Sequence, residues 1–504
     1  MQFLNWIVEF SLNNRAIIWL LLLLFTLFGL DATRKLKMDA VPDVTNVQVQ
    51  VITTAPALSP LEIEQYISYP LERTLLGIPN LEQIRSISRY GLSVVTVVFK
   101  DGTEILKARQ LVSEKLKENT IPIGYGSPTI GPISSALGEI YQFILESDRH
   151  SLMELTTYLN WEITPILKTI PGIIEVNVFG GETKQYQIYL DYSKLQAVGI
   201  TIGEIWNSIF KNNATAGGGY IEKQGEHYLI SAGGMIQSLK DMEKIEVGKT
   251  KDGFPIFLSS IAEVKIGKKF RLGATSFDGK GETVGAIAMM LLHENSLEVC
   301  KLTDEKIREL QKTLPEGMKI HTFYNRATMV QTTIKTVLIN LIEGAVLVIV
   351  ILFLFLGSLR SGLIIAVIIP LAMMFAIFLM NLRGESGNLM SLGAIDFGLI
   401  VDGAIIIIEN STRRLALKRK EKGSTLTSDE KLETIKLATL EVRKATIFGE
   451  LIIAIVYFPI LSLSGIEGKM FTPMALTVLY ALFGAFIFSY SNSCISFSFF
   501  KSTS

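Results

Sequence analysis

The stretch that most constrains this chain is residues 394–414, AIDFGLIVDGAIIIIENSTRR, an apolar run that carries Asp396, Asp402 and Glu409. A carboxylate at bilayer depth costs about 2.5–3.5 kcal/mol on insertion scales, so three in one span are either functional or an argument against a span. On an α-helix Asp402 and Glu409 are seven positions apart and share a face, with an axial offset of about 10 Å. Asp396 falls on a flank. The competing reading, a buried soluble helix with solvated acids on one side, fits poorly with the apolar residues around each acid.

Whether a span is plausible here depends on the rest of the chain. Its 504 residues are 49% hydrophobic, with a mean hydropathy of +0.38, which is high for a soluble protein. That average hides a division: residues 33–335 have ordinary soluble composition, and long apolar runs lie on either side. The formal net charge is zero and no basic groove with interleaved aromatics is present, so nucleic acid is not an expected partner. Cys300 and Cys494 show no metal-type spacing. Neither a Walker loop nor a nucleophile motif is found, so ATP-driven transport and hydrolytic enzymes have no support, and no cofactor is expected.

Taken in order, residues 1–13 place Phe3, Leu4, Ile7, Val8 and Leu12 at helical spacing, as in a helix lying in a membrane interface. The run 16–30 is short for a span and close in length to a signal-peptide core. No A-x-A site follows it, so it reads as an uncleaved first span. The aqueous region opens with the strand in AVPDVTNVQVQVITT and the helix SPLEIEQYISYPLERTLLG, begun by Ser59 before Pro60. Strands 84–88 and 94–99 and a helix from 103 to about 117 complete most of a split β-α-β unit. The order then recurs: strand 140–145, helix 152–168, strands 173–179 and 185–190, helix 202–212. The corners GIPNL (77–81) and TIPGI (169–173) match as well. Residues 215–261 are glycine-rich and read as an inserted extension. The strand 283–291 and helix 296–314 return to the earlier style, and this permits a swapped strand that completes one of the earlier subdomains.

Further spans follow at 337–356, 363–382, 392–408, 445–463 and 472–489. The segment 413–444 holds ten Lys and Arg against five acids, so it is cytoplasmic by the positive-inside rule. Counting back, residues 33–335 lie outside and the N-terminus inside. The fold class is therefore an α+β multi-pass membrane protein: six transmembrane helices, with a large periplasmic region of tandem ferredoxin-like subdomains between the first and second. The corresponding divisions are 1–32 (interfacial helix and first span), 33–214 (tandem subdomains), 215–261 (extension) and 262–335 (return). Spans two to four take 336–357, 362–382 and 391–411, with 412–444 as cytoplasmic linker; 445–464 and 471–489 are the last two spans, and 490–504 is an atypical tail.

Three acids in one span can relay protons, bind a cation or balance buried bases. No Lys or Arg stands well inside the other five spans, while Glu343 and Glu450 add two more acids at depth. Desolvated carboxylates this crowded resist being charged together, which suits a relay. A fixed metal site is the rival, made awkward by the separation of Asp402 and Glu409. His150, His227, His293 and His321 stand singly in different elements, and Met289, Met290, Met373 and Met374 lie in apolar runs where packing is the ordinary role. The metal ligands are unknown at this level.

The segments DFGLIVDGAIIIIEN, VPDVTNVQVQV, SRYGLSVVTVVF, FYNRATMVQTTI, LFLFLGSLRSGLIIAVIIPLAM and GKMFTPMALTV resemble the heavy-metal efflux branch, of cobalt-zinc-cadmium type, of the resistance-nodulation-division transporters. The resemblance runs from residue 1 to about 488. It implies a cation/proton antiporter of the bacterial inner membrane, with one span, a periplasmic porter and docking region, then five more spans, repeated once to twelve. It further implies a homotrimer joined to a periplasmic adaptor protein and an outer-membrane channel, exporting a divalent cation (Zn, Co, Cd or Ni) in exchange for protons. Asp396, Asp402 and Glu409 match the family's fourth-span acids, implicated in proton translocation, and residues 215–261 match its docking extension.

After Ser489 the family pattern would continue into a second half, whereas this sequence reads YSNSCISFSFFKSTS, with seven serines in its last sixteen residues. The expectation is an N-terminal half of such a pump, truncated and inactive alone. One alternative is a non-transporting gene fragment or a membrane-anchored interaction domain. A second is efflux of organic compounds by the same architecture.

Overall fold

The computed structural model describes residues 2–501, apart from 40, 119–125, 136–137, 251, 272, 357–358, 394 and 396. Its soluble part is built on two four-stranded antiparallel sheets. The first holds β1 (Gln48–Thr54), β2 (Leu81–Arg89), β3 (Leu92–Phe99) and β4 (Thr129–Ile130) in the order β2-β3-β1-β4. Val49 and Val51 of β1 and Val95, Val97 and Phe99 of β3 alternate onto one face, as the two-residue strand period requires. There they meet Ile63, Ile67, Leu71 and Leu75 from the helical run 60–75, and Ala108 and Val112 from helix Ile105–Glu118.

The repeat seen in the sequence is also a repeat of backbone detail. Both long helices open on a capping box, Ser59 with Glu62 and Ser151 with Glu154, so each N-terminus satisfies two otherwise orphaned donors. Each then widens into a π turn, Glu64–Ser68 and Leu159–Ile163, just ahead of Pro70 and Pro165. A proline cannot supply the next helical N–H, and the wider turn absorbs the missing bond. After each helix an Ile-Pro pair is followed by a left-handed residue, Asn80 (φ 61°) or Gly172 (φ 87°), which turns the chain into the next strand.

Strand pairing breaks the repeat. The second sheet contains β5 (Glu139–Ser147) and β6 (Ile173–Gly180), but β7 (Lys184–Leu190) is not in it. β13 (Val284–Met290) lies between β5 and β6, and β14 (Met318–Asn325) closes the order β14-β5-β13-β6. The swapped strand permitted by the sequence is thus present, and the reading of 185–190 as the third strand of the second unit is corrected. The physical reason is burial: Val284, Ala286 and Ala288 of β13 are small and fully buried, whereas β7 has no fully buried residue and suits a ladder edge.

Strand β7 instead pairs with β12 (Ala262–Lys268) beside a third core of Leu195, Ile205, Met242, Ile245, Ile256 and Leu258. Helices Tyr192–Val198 and Ile202–Asn212 therefore pack with residues 236–264, and the boundary placed at 214 falls inside this unit. From it extends a hairpin of β8 (Thr215–Lys223) and β9 (Glu226–Gly233). Strands β10 (Glu246–Lys249) and β11 (Pro255–Phe257) form a short ladder nearby.

Six helices among the described residues are long and apolar enough to cross a membrane, by length and composition. Helix α1 (Gln2–Asn13) precedes α2 (Arg15–Lys35), whose 21 residues extend the 15-residue run seen in the sequence. Helix α3 (Arg326–Leu356) leads to α4 (Leu359–Ala366) and α5 (Ile368–Arg383), which ends on left-handed Gly384. The short α6 (Leu389–Gly393) precedes α7 (Phe397–Lys422). Then come α8 (Ser428–Leu461) and α9 (Gly465–Lys501). Through the segment 412–444, read as a linker, α7 continues to Lys422 and α8 begins at Ser428, so the two form an antiparallel helical pair there. Helix α9 likewise passes the boundary at 490 without a break, and Tyr490 is buried among Val8, Leu12, Ile407 and Ile435.

Candidate functional site

Helix α7 presents two unlike faces. Ile400, Val401, Ala404 and Ile408 are buried against α5 and α9, where Ala372, Ala376, Ala481 and Ala485 allow close approach, and Ile407 is buried with Val8, Leu12, Ile435 and Tyr490. Asp402, Ile406, Glu409 and Arg413 are exposed, and their spacing of four, three and four residues puts them on one stripe. The structure therefore places Asp402 and Glu409 together on a face that looks out of the six-helix bundle. Asp396 lies outside the described residues. Glu343 is exposed on α3, and Glu450 alone of the additional acids comes to α7.

The α7–α8 hairpin fixes which groups reach this site. Asn410, buried, donates through Nδ2 to the Ala438 carbonyl (2.8 Å) and to Glu441 (3.0 Å). Arg414 donates to both oxygens of Glu441, at 2.6 and 3.0 Å, and Lys422 meets Glu430 at 2.6 Å. Carried one to two turns up, this antiparallel register brings Thr446 and Glu450 of α8 opposite Gly403. A β-carbon at Gly403 would collide with Glu450 Oε1 and come 3.0 Å from Thr446 Cγ2, so glycine is what admits the carboxylate beside Asp402. Glu450 Oε2 is buried with no hydrogen-bond partner. Arg443, one of the basic residues assigned to the linker, also has a buried, unpartnered Nε. The sequence offered no sign that Gly403 was a docking point, because that depends on the register between helices.

A second polar cluster joins the membrane part to the soluble part. Asp39, just beyond α2, accepts from Arg326 Nε (2.9 Å) and Nη2 (2.8 Å), and the Arg326 side chain is only 5% exposed. The Asp39 N–H donates to Gly387 O, and the Gly387 N–H donates to Lys37 O, so the exit of α2 is knitted to the segment that leads into α6 and α7. Ser296 Oγ donates to Met38 O, and Lys37 Nζ to His293 O, adding the second sheet unit. Cys300 lies against the backbone of Arg326 and Ala327, and burial pushes its thiol up to about 11. Nearby, the Tyr141 hydroxyl donates to Asp304 (2.9 Å) and is held well above its usual range, chiefly by burial. None of this junction was legible as a motif.

Among the described residues no group of three or more His, Cys, Asp or Glu side chains is placed to hold a metal ion. The chemistry on this face is that of carboxylates, with Asp402 and Glu409 exposed on α7 and Glu450 of α8 reaching Gly403.

The fold combines apolar helices long enough to cross a membrane with a large α+β region, and sets acids on one of those helices. The chain belongs to the AcrB/AcrD/AcrF family, whose model it matches over residues 7–492. It is 47% identical over 494 residues to the cobalt-zinc-cadmium resistance protein CzcA of Cupriavidus metallidurans, covering 96% of this chain and 46% of that protein. It is 45% identical over 492 residues to protein HelA of Legionella pneumophila, with the same coverage of each. A crystal structure of a heavy metal efflux pump matches it with a TM-score of 0.86 at 34% identity, over 97% of this chain and 48% of that one. The chain thus spans about half the length of the relatives it matches.

Proposed function

We propose that this chain is the N-terminal half of a proton-driven exporter of divalent heavy-metal cations in a bacterial inner membrane, an antiporter rather than an enzyme. The observation that carries the reading is the stripe of Asp402 and Glu409 on α7, in a chain 47% identical to a cobalt-zinc-cadmium resistance protein. Acids on a membrane helix are expensive and serve ion or proton pathways. Here they would take up and release protons as the cation moves, with Asp396 assigned to the same relay. Each four-stranded sheet has the order of a ferredoxin-like subdomain, which supports two such subdomains on the periplasmic side. Six spans would carry them.

The remaining length of the relatives would supply the protein that covers the acid stripe. The β8–β9 hairpin, with Leu229 86% exposed and Tyr220 and Ile221 also outward, would dock against a neighbouring protomer of a trimer or a channel. An adaptor protein would complete the assembly.

The test is metal tolerance in a strain deprived of its own exporters, with the chain expressed alone and beside the C-terminal half of a relative. Tolerance to zinc, cobalt or cadmium, but not to dyes or detergents, that disappears in Asp402→Asn supports the proposal. Metal export undiminished in Asp402→Asn refutes the relay, and dye tolerance without metal tolerance refutes the cargo.

A further inference from the structure

Among the described residues, Glu450 of α8 reaches α7 beside Asp402 with no basic partner of the kind that Glu441 and Glu430 find in Arg414 and Lys422, and its surroundings give it a direction. We infer that Glu450 is a further proton-carrying residue, accepting the proton from Asp402 and releasing it along α8 toward the cytoplasmic hairpin. The inference rests on the exporter reading above and adds the exit from the site.

The geometry carries it in three steps. Gly403, the neighbour of Asp402, is the contact point of Glu450 Oε1, and the Asp402 carboxylate lies within electrostatic reach of Glu450. Glu450 Oε2 is buried without a hydrogen-bond partner, and a carboxylate in that state is satisfied by taking a proton. On its other side Glu450 lines a cavity of about 310 Å³ between α8 and α9 whose remaining walls, Ile447, Leu451, Leu479 and Phe483 among them, are all apolar. A proton on Glu450 therefore has no polar route across that cavity.

The polar route that remains runs down α8. Arg443 is seven residues before Glu450, on the same face and about 10 Å nearer the hairpin. Tyr490 of α9 donates its hydroxyl to the Arg443 carbonyl at 3.4 Å and lies within the electrostatic reach of both Glu450 and Arg443. Among the described residues, the titratable groups in electrostatic contact with Glu450 are Asp402 from α7 and Tyr490 from α9, and Tyr490 in turn meets Arg443. Helix α1 meets α8 further along, through the Glu9–Lys436 ion pair. In the transfer, the O–H bond of the Asp402 acid breaks as one forms on the Glu450 carboxylate. Glu450 then gives that proton to water reaching it from the hairpin side. No electrons are exchanged.

The test uses a lipid-soluble carbodiimide, which couples to protonated carboxyls in apolar surroundings and leaves a stable acylurea. The full chain is reconstituted in liposomes and the peptide containing Glu450 is followed by mass spectrometry. The expected result is labelling of Glu450 that falls as pH is raised and drops at least about threefold in Asp402→Asn at neutral pH, because the neighbouring charge is gone. Absence of labelling, or equal labelling with and without Asp402, overturns the inference. In the metal-export assay Glu450→Gln should lower export at least about tenfold and Glu450→Asp should restore part of it with an altered pH profile. Export undiminished in Glu450→Gln overturns the role of Glu450 alone. No export by the unmodified protein in any arrangement overturns the exporter reading, and the exit with it.

Discussion

Replacing Asp39 by Asn should loosen the junction between membrane and soluble parts by an amount that can be worked from the structure. Arg326 is 5% exposed and Asp39 is 24% exposed, so the pair is largely but not wholly out of water. Removing one partner of a buried pair costs about 3–5 kcal/mol, mostly because the other charge is stranded. The part-exposed position of Asp39, and the acceptor oxygen that Asn retains, put the cost near the lower end, about 3 kcal/mol. With a tenfold change per about 1.4 kcal/mol, local opening at the start of α3 becomes about a hundredfold more frequent.

Cys300 reports that opening, because it is fully buried against the Arg326 and Ala327 backbone. Burial holds its thiol up at about 11, so it is neutral and inert while the junction is closed, and it reacts as an ordinary thiol only when open. In a Cys494→Ser background, where Cys300 is the sole cysteine, Asp39→Asn should raise its alkylation rate about a hundredfold. Adding Arg326→Met, which replaces the stranded charge with an apolar side chain of similar length, should recover most of the protection. A rise below about threefold, or a further rise in the double variant, would refute the reasoning.

Three further outcomes follow from the same geometry. Gly403→Ala places a methyl group on the Glu450 carboxylate and should lower the melting temperature in detergent, at a cost of about 1–3 kcal/mol, with Glu450→Ala in the same chain relieving it. Asn410→Leu removes two hydrogen bonds across the hairpin, to Ala438 O and to the charged Glu441, so it should cost about 1–3 kcal/mol by the same melting assay, whereas Leu417→Asn on the exposed side should be nearly silent. The carboxylates of Glu62, Glu154, Glu204 and Asp241 are all held below their ordinary values by hydrogen bonds to their N-cap residues. Their contribution is therefore fully present above the unfolded values, 4.5 for the three glutamates and 3.8 for Asp241, and is lost as pH falls through the lower folded values. Circular dichroism should show helix loss beginning below about pH 4.5, shifted little when all four are changed to Gln only if the reasoning is wrong.

The acid helix could be read from the sequence because hydropathy and a 3.6-residue period are local properties, and three carboxylates in an apolar run stand out against both. Which way their face points could not, since that depends on whether α5 and α9 take the side of Val401 and Ile408 or the side of Asp402. The importance of Gly403 and Arg443 was hidden for the same reason. A glycine in an apolar span and an arginine at its edge are individually ordinary, and only the packing of α8 against α7 and α9 brings Glu450 to one and Tyr490 to the other. In the soluble region the repeat was legible in the Ile-Pro corners, but the exchange of β7 for β13 was not. Strands 78 and 110 residues apart by their central positions, Gln187 and Lys265 for one ladder and Asn177 and Ile287 for the other, compete for partners through burial rather than through any local signal.

The outward stripe on α7 makes one last claim that an experiment can settle. If Asp402 and Glu409 faced lipid, each would cost about 2.5–3.5 kcal/mol, together comparable to the whole net stability of a modest domain. A face carrying that penalty must be wetted or covered by protein. Ile406 lies between the two acids on the same stripe and is 39% exposed in this chain, so a nitroxide attached at Ile406→Cys samples the environment directly. In reconstituted membranes its relaxation should be insensitive to oxygen, which concentrates in lipid, in contrast to a label at Leu354→Cys on α3, where the side chain is 73% exposed and bears no neighbouring acid. Adding the C-terminal half of a relative should then remove any remaining sensitivity to a water-soluble nickel complex. Equal oxygen sensitivity at the two sites would mean that the acids lie in lipid and that the stripe is not a covered or hydrated pathway.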